Sequence, residues 1–157
     1  MNPTRRGALA AGALAVLVRP VLLRPAAAQE AAQLQTPEAH AEAVRAFTGG
    51  AEAKPGRVAI DLPPLVENGN AAPITVTVES PMTAEDHVRR IAVFNEKNPQ
   101  PHVIEAQLGP RSGRAVLSTR MRLATSQRIT AIAETSDGRF HVATADVIVT
   151  LAACVEG

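Results

Sequence analysis

From Arg57 to Leu151 the chain alternates apolar and polar residues with a period of two, in short runs closed by proline, glycine, asparagine or aspartate. Successive side chains of a strand point to opposite faces, so such runs read as strands with one face on a core. Val58, Ile60 and Leu62 alternate with Arg57, Ala59 and Asp61 before Pro63-Pro64 stops the run. Ile74, Val76 and Val78 alternate with Thr75, Thr77 and Glu79, and Ser80-Pro81 follows. A weaker run covers 88–94, further runs cover 103–108 and 128–134, and a clear one covers 115–123, with Leu117, Met121 and Leu123 against Ser118, Arg120 and Arg122. The last run is 141–151, entered through Asp137-Gly138, a hairpin signal. Residues 50–56 read as a loop, and Glu67-Asn68-Gly69-Asn70 as a turn. About seven short strands at this spacing, without strand–helix alternation, predict an all-β, immunoglobulin-like β-sandwich.

The N-terminal third reads differently. Arg5-Arg6 precedes an apolar run from Ala8 to Val18, and Ala26-Ala27-Ala28 offers small residues for cleavage. Residues 1–28 are therefore expected to be a signal peptide cleaved after Ala28, with export to the periplasm; the arginine pair resembles a twin-arginine signal, and a general secretory signal is the alternative. The apolar run is too short to span a membrane. Residues 29–56 are expected to hold a helix and linker. Thr36 is placed to cap that helix, Pro37 fits its first position, and Gly49-Gly50 ends it after Phe47. The sandwich is expected over 57–151, followed by a mobile C-terminal arm, 152–157.

Composition removes several functions. The chain has three Phe and no Trp or Tyr, so it lacks stacking platforms for single-stranded nucleic acid. Net charge is +1, and no run of basic residues follows the leader, so nucleic acid is not an expected partner. No Gly-rich phosphate loop, His-x-x-x-His pair or Gly-x-Ser-x-Gly elbow is present. His40, His87, His102 and His141 share no metal-ligand spacing, and neither metal nor cofactor is expected. Asp86-His87 is set aside as a catalytic pair, because strand neighbours face opposite ways. Arg120 and Arg122 fall on one face of a predicted strand, where they suit an anion, a partner's carboxylates or simple solvation.

Cys154 stands apart as the chain's one cysteine, close to its end. In an exported protein a lone thiol is either reactive or half of an intermolecular bridge. Three readings follow: a covalent carrier, a binding or assembly module dimerised through Cys154, and a small enzyme with Cys154 as nucleophile. The last needs a neighbouring base and pocket.

Several segments together resemble the sulfur-carrier family SoxY of bacterial thiosulfate oxidation. They are Leu62-Pro63, Glu67-Asn68-Gly69-Asn70, Val78-Glu79-Ser80-Pro81-Met82-Thr83 and Phe94-Asn95-Glu96-Lys97-Asn98-Pro99. Ser118 through Ala124 and Ala133-Glu134-Thr135-Ser136-Asp137-Gly138 complete the set, with a cysteine after the final strand. The resemblance implies a non-catalytic carrier with Cys154 as the covalent attachment site. It implies a heterodimer with a SoxZ-like β-sandwich subunit, loading by the haem c cytochrome SoxAX, and sulfate release by the hydrolase SoxB. Fuller pathway versions add a molybdenum sulfur dehydrogenase. One departure stands out. The family ends Gly-Gly-Cys-Gly-Gly, whereas this chain reads Ala152-Ala153-Cys154-Val155-Glu156-Gly157.

Overall fold

The computed structural model describes residues 36–153; the predicted leader 1–28, the residues from there to 35, and Cys154 through Gly157 lie outside the described residues. The chain opens with helix α1 (Pro37–Thr48). Thr36, in extended conformation, accepts the Ala39 N–H on its hydroxyl at 3.4 Å, and Pro37 needs no amide partner in the first turn. Gly49, at φ 63°, ends the helix in the left-handed region that a side chain disfavours.

Nine strands follow among the described residues: β1 (Ala53–Pro55), β2 (Val58–Asp61), β3 (Leu65–Asn68), β4 (Ala72–Val78), β5 (Val88–Asn95), β6 (His102–Gln107), β7 (Ala115–Met121), β8 (Gln127–Thr135) and β9 (Phe140–Leu151). Seven match the runs read from alternation. The other two, β1 and β3, fall where a loop and a turn are expected from sequence. Each is short, and each pairs in parallel with β9, far away in the chain. Such pairing leaves no local period to read.

One sheet has the order β1-β9-β8-β5-β6, with β3 also on β9; the second has the order β2-β4-β7. β1 lies beside Phe140–Val142 and β3 beside Ile148–Leu151. Between them the chain crosses to the other sheet as β2. That excursion stitches one side of the sandwich. On the opposite side β6 and β7 are terminal strands.

The inter-sheet core is aliphatic. Ile74, Val76 and Val78 of β4 face Val88, Ile91 and Val93 of β5, with Ile129, Ala131, Ala133 and Val147 alongside. A second core lies on the outer face of the larger sheet, beneath α1, and uses all three phenylalanines. Phe47 meets Phe94 at 5.8 Å and Phe140 at 6.0 Å, both edge-on, and the Arg90 guanidinium lies 4.5 Å above the Phe47 ring. β5 and β8 are therefore covered on both faces. This accounts for their near-continuous apolar stretches and weak alternation. The molecule is thus a two-sheet sandwich with one helix laid on it, in line with the all-β expectation.

Candidate functional site

The last described residues form a junction of three distant segments. β9 continues past Leu151 into Ala152 and Ala153, and Ala153 is buried. Its N–H donates to the Leu123 carbonyl at 3.0 Å, and the Leu123 N–H donates to the Gly69 carbonyl at 2.8 Å. A Cβ on Gly69 would stand 2.5 Å from the Leu123 oxygen, 2.9 Å from the Ala153 nitrogen and 3.0 Å from the Leu151 oxygen. Glycine is required there by close approach, not by its dihedral freedom. The Thr150 hydroxyl donates to the Glu67 carbonyl at 3.1 Å, and the Val149 N–H to the Ser126 hydroxyl at 2.8 Å.

Leu123 is itself held from below. Its side chain is fully buried. On either side of it, the Arg122 carbonyl accepts from Asn98 Nδ2 at 2.7 Å, and the Ala124 N–H donates to Asn98 Oδ1 at 3.0 Å. Gln127 Nε2 donates to the same Asn98 oxygen at 2.7 Å, and Gln127 Oε1 accepts the Lys97 N–H at 2.9 Å. One asparagine thus substitutes for a strand neighbour and fixes the turn after β7. This corrects the strand read over 115–123. β7 stops at Met121, because the backbone of Leu123 is committed to Gly69 and Ala153. Arg122 consequently lies past the strand that carries Arg120.

The junction gathers Asn68-Gly69, Lys97-Asn98 and Leu123-Ala124 from three of the segments that carry the family resemblance. Two of the remaining ones, 78–83 and 133–138, meet at the opposite end of the sandwich. There the Ser136 N–H donates to the His87 carbonyl at 2.8 Å, the Ser136 hydroxyl to the Glu85 carbonyl at 2.9 Å, and the Val88 N–H to Met82 Sδ at 3.5 Å. Asp137 accepts from the Thr135 hydroxyl at 2.6 Å and pairs with Arg139. The Arg139 guanidinium and the Thr135 hydroxyl hold its carboxyl well below the usual carboxylate range.

Cys154, the residue singled out from sequence, lies outside the described residues but follows Ala153 directly. The other candidates are dispersed. Asp86 pairs with Arg57 at 3.2 Å, while His87 Nδ1 sits 3.1 Å from the Thr83 carbonyl. Asp86 lies in a bend and His87 just after it, neither in a strand; both are tied to Thr83, whose hydroxyl accepts the Asp86 N–H at 3.0 Å, and their side chains have no common partner among the described residues. His40 and His102 flank Phe94, His40 edge-on and His102 stacked at 5.1 Å. Both ring nitrogens of His141 are buried with no hydrogen-bond partner among the described residues. Burial lowers the His40 and His141 pKa values. Among the described residues, no three His, Cys, Asp or Glu side chains stand together as a metal site.

The family described as "Sulfur oxidation protein SoxY" matches residues 44–154, from within α1 to the cysteine itself. The chain belongs to the SoxY family. Among solved structures, the sulfur carrier protein SoxY from Chlorobium limicola f thiosulfatophilum is similar, with a TM-score of 0.60 and 25% identity, covering 73% of this chain and 98% of that one. A superoxide reductase (neelaredoxin) from Ignicoccus hospitalis has a TM-score of 0.54 at 16% identity, covering 75% of this chain and 96% of that one. The superoxide reductase from Nanoarchaeum equitans has a TM-score of 0.51 at 11% identity, covering 61% of this chain and 100% of that one. The reductases share the sandwich alone. No curated protein matches the chain in sequence. Gly69 and Asn98 both frame the junction that holds Ala153, the residue before Cys154. In the sequence, Gly69 reads as part of a turn and both residues fall in segments that carry the family resemblance, but neither is marked as part of a junction.

Proposed function

We propose that this chain is a covalent sulfur carrier of periplasmic thiosulfate oxidation, with Cys154 as the attachment site. The observation that carries the reading is that the family match ends on Cys154, which is the chain's one cysteine. The junction supports it, because the cysteine follows a residue whose backbone is fixed by β9, Gly69 and Leu123. In the loading step the Cys154 thiol joins the terminal sulfur of thiosulfate. An S–S bond forms, the thiol proton leaves, and an electron pair passes to the haem c cytochrome SoxAX. Water then cleaves the bond between the two thiosulfate-derived sulfurs under SoxB, releasing sulfate and a proton and leaving a persulfide. The family implies a SoxZ-like partner, with export of the folded pair by the twin-arginine leader, residues 1–28. A molybdenum sulfur dehydrogenase completes the fuller pathway.

Two features of this chain modify the scheme. Counted from Ala153, the backbone reach of Cys154 is that of one residue, about 3.5 Å. Counted from Leu151, as the sequence suggests, it would be roughly 10 Å. Glu156 puts negative charge close to the thiol in sequence, which opposes thiolate formation and repels a dianion. Loading is therefore expected to be slower than in a carrier with the glycine-flanked ending, and to gain from added salt.

Intact mass spectrometry of the protein from thiosulfate-grown cells tests the reading. Sulfur or thiosulfate adducts that are removed by reduction and absent in Cys154→Ser are expected. An unmodified thiol, or a reducible dimer without added sulfur, would overturn it in favour of a disulfide-linked binding module.

A further inference from the structure

The arginines of this protein are segregated. Arg45, Arg57, Arg89, Arg90, Arg128 and Arg139 each pair with a carboxylate. The other arginines among the described residues are Arg111, Arg114, Arg120 and Arg122. All of them are exposed and none has an ion pair among the described residues; Arg120 lies on β7, Arg114 and Arg122 border it, and Arg111 stands in the short 3-10 turn that leads into it. No run of basic residues marks this in the sequence, because apolar and hydroxyl residues separate them.

β7 is also the free edge of the smaller sheet, with β4 as its one neighbour among the described residues. β4 contributes no charged residue across the pair, only Ala72, Pro73, Ile74, Thr75, Val76, Thr77 and Val78. Beside the edge an open depression is lined by Pro73, Ile74, Thr75, Ser118, Thr119 and Arg120. An open edge presents alternate N–H and C=O groups to any extended chain that fits beside it.

We propose that the β7 edge docks an extended acidic segment of a partner protein, which adds to the sheet as a strand with its carboxylates against these arginines. A second copy of this chain is a poor occupant. Antiparallel β7–β7 pairing centred on Leu117 would set Arg114 opposite Arg120 twice, and like charges opposite one another destabilise a sheet. A single small anion is a poor occupant too. Arg114 and Arg120 are six residues apart on an extended path, about 20 Å, so no one anion bridges them. An extended chain bearing carboxylates on alternate residues spans that length.

The edge also has a direction. Its far end leads through Arg122 into Leu123, whose carbonyl holds Ala153. A partner zipped along β7 is brought to the residue before Cys154. That last consequence rests on the carrier reading; the docking edge itself does not.

The test uses the mature Cys154→Ser chain, labelled with nitrogen-15, and a short blocked peptide alternating glutamate with threonine. Amide shifts confined to Val116–Arg120 and the Arg122–Ala124 turn are expected. Affinity should weaken about tenfold from low to high salt and be lost in the folded Arg114→Glu/Arg120→Glu variant. Absence of shifts on β7 would overturn the proposal. So would equal shifts with the lysine–threonine peptide, or reproduction of the pattern by inorganic sulfate at matched ionic strength. Failure of the carrier reading would show separately, as missing sulfur adducts on the unaltered chain.

Discussion

Gly69 and Asn98 do more for the C-terminal junction than any charged residue. Gly69→Ala puts a methyl carbon 2.5 Å from the Leu123 oxygen, and the atoms in the way are backbone. The expected cost is about 1–3 kcal/mol in urea denaturation, as for other overpacked sites. The Cys154 thiol should also react at a changed rate with a small alkylating reagent, since Ala153 must shift. A rate equal to that of the parent would mean that the junction does not control the cysteine. Asn98→Ala removes the partners of Arg122, Ala124 and Gln127 together. It should cost about 1–3 kcal/mol, with faster amide exchange concentrated at Ala124. At this scale the sequence spoke only partly. Asn68-Gly69-Asn70 reads as a turn on local grounds, and it does enclose a short helical turn, with Asn68 Oδ1 accepting the Asn70 N–H at 3.0 Å. Nothing local says that the glycine must admit two other backbones.

Elements were legible to the extent that their causes are local. α1 begins and ends where Thr36, Pro37 and Gly49 predict, because capping depends on residues a few positions apart. The alternating strands follow for the same reason. β1 and β3 depend on β9 for their existence, and β7 is cut short by contacts with Gly69 and Ala153, so their limits are tertiary facts. α1 is itself held mainly by one side chain, as Phe47 is its only buried large apolar residue. Phe47→Ala should cost about 3–5 kcal/mol of local stability. Hydrogen exchange should speed up through Pro37–Thr48 while amides of β4 and β7 keep their protection. If those inner strands lost protection equally, the helix would have to be counted as part of the main cooperative unit.

For the molecule as a whole, two half-buried histidines contribute to the response to mild acid, above the range in which carboxylates such as Asp137 take up protons. Burial holds His40 below the ordinary value, although Glu96 opposes this; burial holds His141 down, aided by Arg57 and Arg139 and opposed by Asp137. An unfolded chain titrates its histidines near 6.5. Above that pH both states are neutral at these sites and their contribution is fully present. As pH falls through about 6.5 and below, the unfolded state takes up protons that the folded state resists, and stability is lost. The melting temperature should therefore be level from about pH 8 to 7 and decline toward pH 5. In His141→Leu that decline should be shallower. An unchanged slope in that variant would remove His141 from the account.

The anchored exit has a consequence for traffic. A carrier on a long leash can hand its cargo over while its body stays put. On the carrier reading proposed above, with Ala153 buried and bonded, the whole sandwich would have to approach, orient and leave for each reaction. Two enzymes could not then share one exit, and each would have to let go before the next began. Throughput would be capped by how fast each complex comes apart, and tighter binding by any one enzyme would slow all of the others.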